Sequence, residues 1–180
     1  MPSIYFHEDD FCQIEILPIE NLGFCLKQAG CIEEFAKTHK SGIGYTDMYV
    51  RDETPLSLAD KKIVPSQLKN ALQGITKEFD EVYSGYSSYR EKCEFTHAFG
   101  NDKNIVLFFD VKNGIVKNIW LTLDTDKEDN ILTAKNIFSA LSRIGSFIIA
   151  DWGWSYIEDI GNHLEIEKYL RQRLIDFTQG

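Results

Sequence analysis

Between Asn104 and Leu123 two runs of β-forming residues flank Asn113-Gly114, and apolar groups occupy both faces of each run. Both turn residues tolerate positive φ, so a two-residue hairpin turn is expected. Such a turn sets Lys112 opposite Ile115, Asp110 opposite Lys117, Phe108 opposite Ile119 and Val106 opposite Leu121. On the other face Phe109 meets Asn118 and Leu107 meets Trp120. Large side chains on both faces predict a central position in a sheet covered on both sides.

Elsewhere the periodicity is shorter in range. Ser3–His7 and Phe11–Leu17 predict two strands joined by the acidic turn Glu8-Asp9-Asp10, the second with Phe11, Gln13, Glu15 and Leu17 on one face. A 3–4 spaced stripe of Leu22, Cys25, Leu26, Ala29, Ile32, Phe35 and Ala36 predicts a helix from about Glu20 to His39, ended by Ser41-Gly42. Gly30 weakens that helix by about 1 kcal/mol relative to alanine. Tyr45–Arg51 alternates as a strand, with Tyr45, Asp47, Tyr49 and Arg51 on one side. Asp52–Val64 is expected to be loop, and Pro65 to open a short helix reaching about Gln73. Glu81–Tyr86 and Lys92–Phe99 predict strands, and Ile131–Ile144 a helix stopped at Gly145. Phe147–Trp152 and Ser155–Ile160 form a pair about Gly153. Asn162 with Glu165 makes a capping box for a last helix, Leu164 to about Phe177. Strands joined by tight turns and interrupted by about four helices predict one α+β domain around a mostly antiparallel sheet.

The chain has 180 residues, of which 43% are hydrophobic, enough to bury a core without staples. Its net charge of −9 lacks the basic stripe that nucleic acid or an anionic membrane requires. The opening MPSIYFHEDD is acidic where a secretory leader is basic. The longest apolar runs, at Val106–Phe109 and Phe147–Ala150, fall far short of the ~20 residues of a membrane span. The expectation is a soluble cytoplasmic protein with reduced, mostly buried cysteines at 12, 25, 31 and 93.

Catalytic motifs fail on their own terms. Gly85-Tyr86-Ser87-Ser88-Tyr89 lacks the last glycine of a nucleophile elbow and reads as a turn. Asp124–Asp129 resembles the start of a calcium loop, but Asp129 and Lys135 stand where glycine and glutamate are needed. The run suits the start of the following helix instead. Cys93 and His97 are about 13 Å apart on a regular strand, too far for a catalytic pair. No histidine spacing suggests a metal, and no phosphate-binding fingerprint suggests a cofactor. Asp47, Asp80, Glu81 and Asp151 adjoin apolar residues, where a carboxylate can be perturbed.

More informative is the clustering of aromatic and charged residues near strand ends. Asp47, Tyr49, Arg51, Glu81, Tyr83, Tyr86, Tyr89, Arg90, Asp151, Trp152 and Trp154 form the candidate partner-binding set, because Tyr, Trp and Arg dominate binding hot spots. The motifs Tyr5-Phe6-His7-Glu8-Asp9-Asp10, Thr46-Asp47-Met48-Tyr49-Val50-Arg51, Tyr83-Ser84-Gly85-Tyr86 and Ile149-Ala150-Asp151-Trp152 resemble those of small acidic bacterial immunity proteins encoded beside polymorphic or contact-dependent toxins. That resemblance implies a non-enzymatic inhibitor that occludes a cognate toxin domain, with the acidity suiting a basic nuclease. Two alternatives stand beside it: a small hydrolase-type enzyme using a carboxylate or tyrosine of Tyr45–Arg51 and Tyr83–Arg90, and an adaptor or homodimeric interaction domain.

Overall fold

Asn113 and Gly114 both adopt positive φ, 55° and 73°, and close the hairpin of β9 (Ile105–Lys112) and β10 (Ile115–Leu123). The structure, a computed structural model, describes residues 2–86 and 88–179, without the side chains of 175–179. The hairpin lies in the middle of a seven-stranded, mainly antiparallel sheet. The other strands of that sheet are β2 (Ile14–Pro18), β5 (Lys77–Glu78), β8 (Thr96–Gly100), β11 (Phe147–Asp151) and β12 (Tyr156–Asp159). Its order is β12-β11-β2-β10-β9-β8-β5. A second sheet, order β1-β6-β7, joins β1 (Ser3–His7), β6 (Glu81–Gly85) and β7 (Glu91–Lys92). The described helices are α1 (Leu22–His39), α2 (Pro65–Leu72), α3 (Glu128–Ser142) and α4 (His163–Gln179). Together these elements make an α+β fold. None of the described helices is long and apolar enough to cross a membrane.

The predicted hairpin register holds only next to the turn. Lys112 pairs with Ile115 and Val111 with Val116, but a bulge at Lys117 then shifts the ladder. Asp110 faces Asn118, Phe109 faces Ile119 and Phe108 faces Trp120. Strict alternation would send Val116 and Ile119 to opposite faces. Extruding Lys117 buries both in one core. Burying a valine side chain is worth about 1.5–3 kcal/mol, against about 0.2–1 kcal/mol for a cross-strand charge pair. The expected Asp110–Lys117 pair is therefore absent. Asp110 instead accepts from Asn118 Nδ2 at 3.2 Å and Thr96 Oγ1 at 2.6 Å.

One face of the large sheet packs against α2, α3 and α4 through Leu68, Leu107, Phe109, Ile119, Phe138 and Leu170. The opposite face has two covers. Helix α1 lies over one end, on Leu17, Ile148 and Ala150. The small sheet lies over the other, with Ile4, Phe6 and Val82 against Phe108 and Trp120. Consecutive strands thus go to different sheets: β1 pairs in parallel with β6, whereas β2 pairs with β10 and β11. The change of direction passes through Cys12, in left-handed backbone with φ 54°.

Four further expectations change. Of Tyr45–Arg51 only Tyr45 belongs to a strand, the two-residue β4 (Gly44–Tyr45) opposite β3 (Lys40–Ser41). Asp47 Oδ1 takes the Met48 N–H at 2.8 Å, and Tyr49 Oη donates to Gln28 Oε1 at 3.1 Å. These local and helix-directed bonds replace a ladder. That use of Gln28, which also donates to Asp52 at 2.9 Å, buries it, while Leu26 of the predicted stripe is exposed. Lys92–Phe99 is broken at residues 93–95, so β7 and β8 join different sheets. The cysteines are unpaired, but only Cys25 is buried; Cys12 and Cys93 are half-buried and Cys31 is exposed.

Candidate interaction face

Gly85 sets the shape of the small sheet's outer end. Its φ is 150°, and a Cβ there would stand 2.1 Å from the Tyr89 carbonyl oxygen, so the chain doubles back in contact with itself. Tyr89 N–H closes the turn on Tyr86 O at 3.0 Å. The elbow-like motif is therefore a turn, with its Ser87 outside the described residues. The turn projects Tyr86 and Tyr89, which are 55% and 61% exposed. Tyr86 packs on His7, ring centroids 4.5 Å apart, and its hydroxyl donates to Asp9 at 3.3 Å. Tyr89 donates to Glu91 at 3.2 Å. The Arg90 guanidinium lies 4.5 Å above the Tyr5 ring.

On the same sheet Glu81 accepts from Lys92 at 2.7 Å and from Tyr83 at 3.0 Å. The Lys92 bond, with that from Tyr83, holds its carboxyl below the usual range. Glu8, Asp9 and Asp10 form a single 3-10 turn after β1, and Phe11 follows it, 43% exposed. Phe95, 71% exposed, stands in the 93–95 turn. Between the two sheets opens a cavity of about 390 Å³ bordered by Phe6, Glu8, Phe11, Asp110 and Trp120. A neighbouring concavity of about 630 Å³ shares Cys93, Thr96 and Asp110 with it and adds Glu94 and Phe95.

A separate groove of about 640 Å³ runs beside β2 and the 49–54 segment. Glu15 Oε1 accepts from Trp152 Nε1 at 2.6 Å and from Arg51 at 3.1 Å, and Arg51 lies 4.5 Å above the Trp152 ring. Burial raises the Glu15 pKa, with Trp152 and Arg51 pulling it back. The arm leading to this groove exposes Ile43, Tyr45, Met48 and Val50, with Asp47 on its surface.

Asp151 belongs to neither region. It is 2% exposed, accepting from Tyr169 Oη at 2.6 Å, Arg173 at 2.7 Å and the Trp154 N–H at 3.2 Å. Arg173 in turn donates to the Leu123 carbonyl at 3.0 Å and lies 5.0 Å from the Trp154 ring. The expectation of a surface charge at Asp151 is overturned: this carboxylate ties α4 to the end of β11. Burial of the hydroxyl, followed by the neighbouring Asp151 carboxylate, pushes the Tyr169 pKa well up, so Tyr169 serves as a neutral donor.

The predicted set thus separates. Glu81, Tyr83, Tyr86, Tyr89 and Arg90 share one face; Tyr49, Arg51 and Trp152 line the groove; Asp47 lies on the exposed arm; Asp151 and Trp154 join the α4 anchor. Sequence reasoning missed Glu15, whose position on the Gln13–Leu17 face was legible but whose partner, Arg51, was not. It also missed Phe11 and Phe95, although an apolar residue directly after three carboxylates is a usable signal. The Asp124–Asp129 run leads into α3, with Glu128 and Asp129 in its first turn. Comparison with known proteins found no matching family, no matching curated protein and no matching solved structure.

Proposed function

We propose that this chain is a non-enzymatic protein-binding protein whose small-sheet face docks a basic partner, as an immunity protein docks the toxin domain it blocks. One observation carries the reading: Phe11, Tyr86, Tyr89 and Phe95 are exposed among Glu8, Asp9, Asp10, Glu91 and Glu94. Aromatic groups supply contact area at low entropic cost. Surrounding carboxylates accelerate encounter with a cationic surface. Two cations of this face are engaged, Lys92 by Glu81 and Arg90 over Tyr5, while Lys112 and Lys117 line the concavity beside Phe95. A net charge of −9 also disfavours self-association through the same surface.

The test is co-purification and surface plasmon resonance with the product of the gene adjacent to its own. Nanomolar binding is expected, with an on-rate that falls at least tenfold between low and physiological salt. Tyr89→Ser with Phe95→Ser should raise the off-rate. Binding that ignores both salt and these substitutions would refute the assignment of the face.

The Glu15 groove favours a second reading, a small-molecule or hydrolytic site, because a buried carboxylate of raised pKa in a concavity is a common catalytic arrangement. Turnover of aryl esters by the wild type but not by Glu15→Gln supports it, and an inert wild type removes it.

A further inference from the structure

We propose that the cavity between the two sheets is a socket for a single arginine side chain of the basic partner; this rests on the small-sheet face being the interface. The walls are aromatic. Trp120 lies at the bottom, with Phe6 and Phe11 edge-on to it at centroid distances of 5.4 and 4.9 Å. Phe11 is partly exposed and Trp120 not at all, so the rings run from mouth to floor. A cation seated at the mouth meets the exposed Phe11 ring, and the buried Phe6 and Trp120 rings beneath it keep water away.

Asp110 supplies the charge. It is half-buried, and each of its oxygens accepts one hydrogen bond, from Thr96 and from Asn118, which leaves acceptor capacity on both. No lysine, arginine or histidine among the described residues lies within ion-pair distance of it. The bulge at Lys117 is the reason: it turns Asn118, a neutral residue, toward Asp110 where regular pairing would have brought an ammonium. Glu8, exposed at the rim, adds a second carboxylate without a cationic partner among the described residues. A carboxylate kept partly out of water beside aromatic rings is complementary to a cation brought by something else.

Guanidinium fits better than ammonium. It is planar, stacks on rings, sheds water more readily and donates in a fork that both oxygens of Asp110 can receive. The adjoining concavity shares Asp110 but is lined by Lys112 and Lys117, so the side chain enters from the Phe11 and Glu8 side, whose lining holds no lysine or arginine.

Trp120 also provides the reporter, since its indole N–H has no acceptor among the described residues and its residue backs the cavity. The experiment titrates ¹⁵N-labelled full chain with N-acetyl-arginine amide, N-acetyl-lysine amide and N-acetyl-citrulline amide, reading the indole resonances by NMR. Trp152→Phe and Trp154→Phe identify the Trp120 signal. Arginine amide should shift that signal saturably with Kd on the order of 1 mM. Lysine amide should bind several-fold more weakly, and neutral citrulline amide at least tenfold more weakly. Asp110→Asn, which keeps an acceptor for Thr96, should weaken arginine amide at least tenfold; Glu8→Gln, on the surface, about threefold. No saturable shift, equal response to citrulline amide, equal affinity for lysine amide, or indifference to both substitutions would each overturn the socket. Because the probe is a blocked amino acid, such a failure leaves the reading of the face standing. Loss of partner binding by Tyr89→Ser and Phe95→Ser tests that separately.

Discussion

Replacing Asp151 with alanine should destabilise the protein by about 3–5 kcal/mol, the usual consequence of leaving one charge of a buried pair alone. Asp151 and Arg173 are 2% and 9% exposed, and Arg173 Nε has no acceptor among the described residues. Removing the carboxylate leaves the guanidinium with the Leu123 carbonyl at 3.0 Å and a long contact to Tyr169 at 3.5 Å. It also strips the Tyr169 hydroxyl of its acceptor. A chain of this size loses about 2–4 °C of Tm per kcal/mol, so a fall of roughly 6–20 °C is expected. The pair is shielded from solvent, so 1 M salt should leave the deficit nearly unchanged. Urea unfolding followed by tryptophan fluorescence measures the effect, since Trp152 and Trp154 adjoin the site. Asp151→Leu with Arg173→Met should recover most of the loss, because apolar replacement of a whole buried pair is often neutral. An Asp151→Ala protein within about 1 kcal/mol of wild type would show that the pair does not anchor α4.

Four other outcomes follow from positions described above. Glu15 ionises less readily in the folded protein than in the unfolded chain because it is buried. Its ionisation therefore opposes folding, and wild-type stability relative to Glu15→Gln should fall as pH rises from the ordinary value of 4.5 through the raised one; a pH-independent difference in urea midpoints would contradict this. Gly85→Ala, with a Cβ 2.1 Å from a carbonyl oxygen, should cost on the order of 2–3 kcal/mol and disturb the Tyr86–Tyr89 turn in NMR spectra. Gly30→Ala, on an exposed helical position with nothing within 4 Å, should raise stability by about 0.5–1 kcal/mol in thermal melts. Ellman's reagent at pH 8 should modify exposed Cys31 first, while Cys25, whose thiol burial lifts to about 11, reacts only on unfolding. Early modification of Cys25 would mean that α1 opens in the native state.

What could be read from the chain was what local rules govern. Asn113-Gly114 announced its turn because two consecutive positive φ values admit few residue pairs, and Pro65 marked the first turn of α2. The bulge at Lys117 carries no such signature. It exists because Val116 and Ile119 compete for one core, a fact about volumes on another layer. Parallel pairing of β1 with β6 was equally silent, since nothing in Ser3–His7 names a partner on the far side of two helices. Asp151 was misassigned for the same reason: its cation is on α4, and a carboxylate at a strand end looks like surface until the helix is placed. Tyr86 and Tyr89 are exposed because a tight turn leaves long side chains nowhere else to go.

The parallel contact of β1 with β6 has a bearing on when the proposed docking face comes into being. The β9–β10 hairpin forms from neighbours in the chain, but β1 must wait for a strand made long after it, and loop closure makes such pairings slow. Only five residue pairs join the two strands. The small sheet is thus expected among the last parts to assemble and the first to open, with weaker amide protection than β9 and β10. A partner docking on the proposed face would recognise completed molecules and pass over nascent or damaged ones. By holding β1 in place it would also stabilise the completed molecules it binds.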